Sequence, residues 1–558
     1  MSIETVYTLL PEIVLVLAAT LLYLGGAFLP ARRGWSWLAA GAIVLAAIAL
    51  ARQDTTGAAA SSAESAVTYE MIIADEFAYA TRWVVLGLGL AFILLAARTS
   101  EYGESTEFMG SLLLILAGLM LVAMAGDLVM LFVALELISI PTYLLLFLGR
   151  GKLALEAGTK YFFLSVLSSG LLLYGFSFLY GATGSTNLTQ IHAELSLEAA
   201  DSESLATFAA VAMVFVFAGL GFRLTAVPFH FYAPDVYQGT TNPNAGILAV
   251  VPKVAALVAI VRIASVAMPG LERMGWQIAL ALAMITMTVG NVLALWQNNL
   301  RRLMAYSSIA HAGYMLIGLA VGFAAAGGAA EAYNFDGVGA ALFYMLVYSA
   351  ATIGTFAALT FLGGSNGEIN TVDELAGLAR AFPKTAAAVA VFMFSLTGLP
   401  PLAGFWGKFT LFTGALSVDA RSPDSGSLWP WFLALAIVGA LNAAISAGYY
   451  LRIVGVMYFR NPTTTPEARG GTSAALAMTL CGLLVVGVGF YPGWLLDEAN
   501  RASQSARESS PGARIVPDTV ASTSTRTASA KLSTAAHAPL AHGSSRGTAT
   551  SQVAQPRR

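Results

Sequence analysis

A chain of 558 residues in which 57% are hydrophobic and only 11% are charged cannot be an ordinary water-soluble protein, because soluble domains carry about 25% charged residues. The formal net charge of −2 and the absence of a basic face in the sequence argue against a nucleic-acid partner. The single cysteine, Cys481, lies in an apolar run, so the sequence excludes disulfides and cysteine-ligated metal or Fe–S centres.

Apolar runs long enough to cross a bilayer follow one another along most of the chain. A spanning helix needs about 20 such residues, and the sequence predicts fourteen spans, at about 9–29, 35–51, 77–97, 108–126, 127–148, 160–181, 206–227, 244–268, 276–297, 303–323, 338–362, 384–414, 429–452 and 473–496. The first run lacks a preceding basic segment, which indicates a membrane helix and not a cleaved signal peptide. We therefore predict an all-α polytopic membrane protein.

Lysine and arginine residues are distributed unequally between the predicted loops. Eleven lie in loops on one side of the membrane: Arg32, Arg33, Arg98, Arg150, Lys152, Arg301, Arg302, Arg380, Lys384, Arg460 and Arg469. Three lie in loops on the other side: Arg52, Arg273 and Arg421. Positively charged loops remain in the cytoplasm, so we expect both termini to lie outside.

Five ionisable residues fall within or near the apolar runs: Glu136, Arg223, Lys253, His311 and Lys408. Glu136 is about nine and twelve residues from its flanking loops, or roughly 13–18 Å, which places it near the midplane. Lys253 lies at a similar depth, where a lysine costs about 2.5–3.5 kcal/mol on insertion scales. Such residues need partners or a function.

Each charge also has a purely structural interpretation. Glu136 can hydrogen-bond a neighbouring helix, Lys160 can extend its ammonium to the cytoplasmic interface, His311 can be a neutral core histidine, and Arg223 can anchor an interface. As a group, however, ionisable residues at similar depth can compensate one another and pass charge between them. That pattern favours a proton pathway.

Helix-breaking residues occur beside two of these charges. Pro228 and Pro234 follow Arg223 in the seventh run, and the segment 398–404, with two glycines and two prolines, precedes Lys408 in the twelfth. Proline removes a backbone donor, and irregular backbone survives at membrane depth only inside protein or beside a cavity. Breaks five spans apart predict two inverted five-helix repeats, helices 4–8 and 9–13, with helices 7 and 12 broken.

The predicted organisation has five parts. These are an N-terminal three-helix segment at 1–107, the two repeats at 108–268 and 276–458, a C-terminal helix at 473–499, and a disordered Ser/Thr/Ala-rich tail at 500–558. Residues 52–76 form a polar, acidic loop. The tail shows no regular apolar stripe, so it is not expected to fold into an amphipathic helix.

Three segments resemble those of the antiporter-like membrane subunits of respiratory complex I. They are "GLGFRLTAVPFHFYAPDVYQG", "RRLMAYSSIAHAGYMLIGL" and "SLTGLPPLAGFWGKF". The resemblance covers about residues 5–496, in a family that also includes subunits of Mrp-type cation/proton antiporters and membrane-bound hydrogenases. The N-type subunits of bacterial NADH-quinone oxidoreductase are the most similar, because Lys408 stands where M-type subunits typically have glutamate and the long lateral helix of L-type subunits is missing. The segment holding Lys160, "ALEAGTKYFFLSVLSSGLLLYG", is also similar to the N-type.

The resemblance implies roles for individual residues. Glu136 would pair with the charge on the seventh helix and gate a half-channel, and Lys253 would be central to a hydrophilic axis along the membrane. His311 would connect this axis to Lys408, the terminal site of proton exchange with the outside. His230 matches the histidine of the "PFH" segment.

Arg223 departs from the family pattern, which has lysine at this position. A guanidinium cannot be deprotonated at accessible pH, so Arg223 cannot alternate between charged and neutral forms. We expect it to act as a fixed positive charge that keeps Glu136 ionised, which alters the usual paired switch.

The resemblance implies a non-redox subunit of the complex I membrane arm that couples electron transfer to proton translocation. No dinucleotide fingerprint or P-loop is present, so FMN, Fe–S clusters, NADH and quinone are expected in partner subunits, which would include neighbouring antiporter-like and small membrane subunits. The alternatives are an Mrp-type sodium/proton antiporter subunit, an independent transporter of organic solutes, and a structural spacer that has lost pumping. The expected location is the bacterial inner membrane.

Overall fold

The computed structural model of the chain describes residues 3–29, 34–53, 71–97, 105–149, 151–198, 203–266, 270–326, 336–364, 367–418, 428–462 and 466–508. Several predicted features lie outside these ranges: loop residues Arg32, Arg33, Arg98, Arg150 and Arg421, most of the loop at 52–76, and residues 509–558 of the predicted tail.

The secondary-structure elements in the first half of the described chain are all helices. Its helices are α1 (Ile3–Thr8), α2 (Leu10–Phe28), α3 (Trp35–Ala51), α4 (Glu76–Ala96), α5 (Ser105–Ala123), α6 (Leu128–Phe147), α7 (Lys152–Thr183), α8 (Leu188–Glu198), α9 (Glu203–Leu224), α10 (Ala233–Gly239) and α11 (Asn242–Val266).

The second half adds nine helices and a small sheet within the described residues. The helices are α12 (Glu272–Leu295), α13 (Leu300–Ala326), α14 (Gly337–Phe361), α15 (Leu378–Ala381), α16 (Pro383–Thr397), α17 (Ala403–Leu416), α18 (Trp429–Phe459), α19 (Gly471–Phe490) and α20 (Gly493–Glu508). Strands β1 (Leu362–Gly364), β2 (Gly367–Glu368) and β3 (Glu467–Ala468) form an antiparallel sheet in the order β2-β1-β3. A 3₁₀ turn covers Asp373–Leu375.

Twelve helices of the described chain are long and apolar enough to cross a membrane, and α3 and α16 are shorter apolar helices. The chain is therefore a multi-pass membrane protein, as predicted. Each predicted apolar run is helical over most of its length, but the run at 384–414 is divided between α16 and α17, and the run at 473–496 extends past α19 into α20. Helix α7 begins earlier than predicted, at Lys152, and α18 continues to Phe459. The first turns of α7 contain Lys152 and Glu156, and Arg452 interrupts the apolar stretch of α18, so the apolar criterion stops short of these helix ends. The number of fourteen crossings stays a prediction.

Both predicted helix breaks are present. Helix α9 ends at Leu224, Thr225 has a φ of 59°, and the chain resumes a helix only at α10. The second break lies between α16 and α17, where Gly398 has a φ of 93° and closes α16 in the left-handed conformation, which glycine adopts without penalty. The prolines after Gly398 prevent the helix from continuing. The repeat relation itself stays a prediction.

The chain beyond residue 499 corrects the sequence prediction. Residues 500–508 are not a disordered tail, and the predicted helix at 473–499 is divided between α19 and α20. Helix α20 buries a stripe consisting of Leu495, Ala499, Ala502, Ser503 and Ala506, at the spacing of one helix face. The stripe consists mostly of alanine, which is only weakly hydrophobic, so the sequence pattern did not reveal this apolar face. Arg507 of α20 pairs with Asp336, the N-cap of α14.

Helices α11, α13 and α14 occupy the interior and are buried on nearly all sides. Close packing of α12 against α13 depends on Gly290 and Gly313, because a Cβ at either would come within about 2.7 Å of backbone atoms of the other helix. Since lipid and water do not reach these interior helices, polar side chains on them must find partners inside the protein.

Candidate functional site

The first predicted charge pair is formed. Arg223, in the last turn of α9, places Nη2 3.1 Å from Oε1 of Glu136 on α6. The arginine side chain is 3% exposed and the glutamate side chain is 22% exposed. Because the break follows Leu224, the guanidinium lies where α9 ends, next to the middle of α6.

Serine hydroxyls complete the surroundings of this pair. Arg223 Nη1 donates to Ser139 Oγ at 2.7 Å and to the Leu135 carbonyl at 3.3 Å, while Nη2 lies 3.3 Å from Ser169 Oγ. Ser169 in turn donates to Glu136 Oε1 at 2.5 Å. A buried charge needs such charge-assisted hydrogen bonds, and the planar fork of arginine reaches several acceptors at once. We call Glu136, Ser139, Ser169 and Arg223 the arginine fork.

Lys253 has a very different environment. It lies in α11 directly after Pro252, is 1% exposed, and its Nζ has no hydrogen-bond partner among the described residues. Pro252 lacks an N–H, so the carbonyl one turn earlier loses its helical partner. The positive charge of Lys253 is therefore less compensated by the protein than that of Lys408, the other buried lysine of the site.

His311 is held by tyrosines on both sides of its ring. Nδ1 lies 2.6 Å from the hydroxyl of Tyr344 on α14, and Nε2 lies 2.9 Å from the hydroxyl of Tyr450 on α18. Tyr450 also contacts Ser307. A neutral imidazole donates through one nitrogen and accepts through the other, so His311 can link two hydroxyls across the interior.

The second helix break creates the binding site for Lys408. Nζ of Lys408, on α17, donates to the carbonyls of Leu396 and Thr397 at 3.0 and 2.9 Å, and it lies 4.7 Å from the centre of the Tyr314 ring. These carbonyls belong to the last turn of α16, whose end carries a partial negative charge. The ring face adds a cation–π contact. Lys408 is 4% exposed and well compensated.

Lys160 and His230 are more exposed than these buried groups. Lys160 is 38% exposed and contacts Asp235 and Glu156, each at 2.7 Å. Asp235, on α10, also accepts from Arg302 of α13 at 2.6 Å. Burial raises the pKa of Asp235, but the hydrogen bonds from Lys160 and Arg302 outweigh it and hold that pKa below its usual value. We call Glu156, Lys160, Asp235 and Arg302 the Asp235 cluster.

His230 is half-buried in the connection between α9 and α10, and its Nδ1 has no hydrogen-bond partner in the part of the chain that the structure describes. In the same ranges, no three His, Cys, Asp or Glu side chains converge so as to hold a metal ion.

Comparison with known proteins places this arrangement in a family. The family profile described as NADH:quinone oxidoreductase/Mrp antiporter, transmembrane, matches residues 125–422, which include the arginine fork, Lys253, His311 and Lys408. The chain belongs to the NADH:quinone oxidoreductase/Mrp antiporter family. The family resemblance predicted from the sequence is thereby confirmed.

Relatives of this antiporter family match over nearly their whole length. NADH-quinone oxidoreductase subunit N of Rhodospirillum rubrum is 35% identical over 501 residues, covering 89% of this chain and 96% of the relative. The protein of the same name from Rhizorhabdus wittichii is 37% identical over 494 residues, covering 85% and 95%.

Solved structures of multi-subunit complexes contain similar chains. Respiratory complex I from Thermus thermophilus has one with a TM-score of 0.68 and 30% identity, covering 87% of this chain and 98% of that one. The Mrp complex from a Dietzia species has one with a TM-score of 0.71 and 20% identity, covering 91% and 98%. At that identity the second likeness shows the fold alone.

Two buried ion pairs of this antiporter-family chain were missed by the sequence analysis. Arg82 pairs with Glu12 at 2.8 Å, both 3% exposed. Arg262 of α11 is fully buried and binds Asp75 through two hydrogen bonds of 2.6 and 2.5 Å. Glu12, Arg82 and Arg262 all fall within predicted spans, so the criterion that selected Lys253 would have found them. Asp75 lies at the end of a loop, and nothing in the sequence indicates that it pairs with Arg262.

Proposed function

We propose that this antiporter-family chain is a non-redox subunit of the membrane arm of NADH-quinone oxidoreductase, and that it translocates protons while partner subunits pass electrons from NADH to quinone. The observation that carries the proposal is the set of buried ionisable groups within one bundle: the arginine fork, Lys253, His311 and Lys408. Buried charges inside a membrane protein are expensive and mark ion or proton pathways.

Lys408, Lys253 and His311 suit different steps of the transfer. Lys408 has two carbonyls and a ring to hold its ammonium, which suits a terminal site where a proton waits before release. Lys253 Nζ has no hydrogen-bond partner among the described residues, so whether Lys253 holds a proton depends on the charges around it. His311 and its two tyrosines provide hydrogen bonds between helices for transfer towards Lys408.

The arginine fork determines whether a change of charge at Glu136 favours or disfavours a proton on Lys253. Arg223 stays charged, so only Glu136 can change charge within the fork. Protonation of Glu136 would leave the positive charge of Arg223 unbalanced and would repel a proton from Lys253. Loss of the proton from Glu136 would restore the charge balance with Arg223 and favour a charged Lys253. Lys160, which is partly exposed beside Asp235, is assigned a role at the cytoplasmic mouth, and His230 a role in the connection between α9 and α10.

The proposal places the redox chemistry elsewhere. FMN, Fe–S clusters, NADH and quinone would be bound by partner subunits, and neighbouring antiporter-like and small membrane subunits would flank this chain in the bacterial inner membrane, with both termini periplasmic. The names and lengths of the relatives support this assignment. They support the Mrp-type sodium/proton antiporter alternative less, because the Mrp likeness is at 20% identity.

Co-purification followed by a transport assay tests the proposal. The chain, carrying an affinity tag, is isolated in mild detergent and reconstituted into vesicles. We expect flavin- and Fe–S-containing subunits to accompany it and NADH with quinone to drive proton uptake. Isolation with antiporter subunits alone, and sodium/proton exchange without NADH oxidation, would overturn the proposal in favour of the Mrp type.

A further inference from the structure

One carboxylate joins the beginnings of the two helices that carry Lys253 and His311. Oε1 of Glu368, on β2, accepts a hydrogen bond from the N–H of Asn242, the first residue of α11, at 3.3 Å. Its other oxygen, Oε2, forms an ion pair with Arg301, in the first turn of α13. We call Glu368 with these two contacts the first bridge.

Both partners of Glu368 need an anion at this place. The first N–H groups of a helix have no acceptor within the helix, and Asn242 is fully buried. Arg301 brings a positive charge to the N-terminus of α13, where the helix dipole disfavours a cation, and its side chain is only 10% exposed. One carboxylate serves both helix ends, and it can do so only while these ends lie side by side.

Tyr348 of α14 joins the same two helices further along. Its hydroxyl lies 3.2 Å from the carbonyl of Ala249 on α11 and 2.8 Å from Ser308 Oγ on α13. Ala249 lies seven residues after Asn242, and Ser308 lies seven residues after Arg301, which is about 10 Å along each helix. Helices α11 and α13 therefore run in the same direction without a stagger between the two contacts. We call Tyr348 with these contacts the second bridge.

The same register carries on to the two titratable groups. Lys253 follows the contact of the second bridge on α11 by four residues, and His311 follows the contact on α13 by three, so their levels differ by about 1.5 Å. Pro252, directly before Lys253, lacks the N–H that would hold this turn of α11 to the preceding one. The position of Lys253 along α11 thus depends more on contacts outside its helix than it would in an unbroken helix.

We propose that Glu368 is a positioning residue: with Tyr348 it fixes the register of α11 against α13 and so holds Lys253 level with His311. The inference rests on the proposed function, in which both groups belong to one proton pathway. A slip of one residue would move Lys253 by about 1.5 Å along α11, and a misplacement of about 1 Å can cost about 10²-fold in rate. Asn242 lies roughly 16 Å before Lys253 along α11, so Glu368 acts only through the helices that it joins.

Loss of one acceptor oxygen tests the first bridge. Both partners of Glu368 are donors, and Glu368→Gln replaces one of its two acceptor oxygens by an NH2 group, which accepts from neither. The intact complex is reconstituted, and NADH-driven proton uptake is measured from pH 6 to 9 together with electron transfer to a soluble acceptor. We expect uptake to fall about tenfold or more and the pH of half-maximal uptake to shift. Electron transfer to the soluble acceptor should stay at the wild-type level.

A second variant and a matched control separate positioning from a merely structural contact, which would change thermal stability without shifting the pH profile. Tyr348→Phe removes both contacts of the second bridge and keeps the ring. Because the two bridges hold the same register, its pH profile should shift in the same direction as that of Glu368→Gln. Glu467, on β3 of the same sheet, pairs with Arg469 at 3.2 Å, so Glu467→Gln should leave uptake and its pH profile unchanged.

A cryo-EM structure of the Glu368→Gln complex measures the register directly. We expect the Cα atom of Lys253 to be displaced along α11, relative to that of His311, by about 1.5 Å. An unchanged register, wild-type uptake in Glu368→Gln, or opposite pH shifts in the two variants would each overturn the inference, while NADH-driven uptake by the wild-type complex would leave the proposed function standing. Failure of the wild-type complex to take up protons during NADH oxidation would instead refute the proposed function.

Discussion

Replacement of Arg223 by lysine tests the fixed-charge interpretation of the arginine fork. The guanidinium lies 3.1 Å from Glu136, so at an effective dielectric constant of about 20 the Coulomb attraction is about 5 kcal/mol. Most of that balances the cost of removing both groups from water. A lysine ammonium carries the same charge on one nitrogen with three donors, enough to serve Glu136, Ser139 and Ser169.

We therefore expect Arg223→Lys to assemble normally and to pump protons at the wild-type rate or faster, since lysine adds a site that can release its proton. Arg223→Met, by contrast, leaves Glu136 without its counter-ion and should cost about 3–5 kcal/mol. The assay is the proton-to-electron ratio and turnover of the reconstituted complex, with its thermal stability measured in parallel.

Arg82→Lys provides the matched control, because Arg82, in the N-terminal segment, is as buried as Arg223 and also pairs with a glutamate, Glu12. It should alter stability alone. A severe loss of pumping in an assembled Arg223→Lys complex would refute the reasoning, and would mean that the forked geometry of arginine is required and not only its charge.

Three further predictions concern other charged groups. Lys408→Ala should reduce the proton-to-electron ratio far more than the yield of assembled complex; an unchanged ratio in vesicles would count against its role as a terminal site. The lowered pKa of Asp235 means that its ion pairs stabilise the folded state above pH 3.8, the usual pKa of this group, and that this stabilisation is lost as the pH falls below that value. Asp235→Asn should therefore flatten the decrease of the melting temperature at acidic pH. A pH profile identical to that of the wild type would contradict this. Arg262→Met removes both hydrogen bonds from Arg262 to Asp75 and should lower stability by about 3–5 kcal/mol without a direct effect on pumping, checked by thermal unfolding and by uptake per assembled complex.

The buried charges and the helix breaks could be predicted from the sequence, because ionisable residues and helix-breaking prolines and glycines are unusual inside an apolar helix. Glu136 and Arg223 stood out as ionisable residues inside apolar runs, and the breaks beside Arg223 and Lys408 followed from proline and glycine. Their pairing across α6 and α9 followed from the family resemblance, and the structure places them 3.1 Å apart.

The hydroxyl groups were not predictable, for a physical reason. A tyrosine in an apolar helix has the same sequence signature whether its ring only fills the core or its hydroxyl bonds a histidine, so Tyr344 and Tyr450, which bond His311, gave no signal. The alanine stripe of α20 was missed because alanine contributes little to a hydrophobic pattern. Both become visible only when neighbouring helices are in place.

Lys253→Met gives the most direct test of the claim that buried ionisable groups of this chain translocate protons. Methionine fills a similar volume without charge, and Lys253 has no partner in the described ranges, so the variant complex should be at least as heat-stable as the wild type. We predict that its NADH-driven proton uptake is lost or strongly reduced. A stable Lys253→Met complex with the wild-type proton-to-electron ratio and rate would contradict the account.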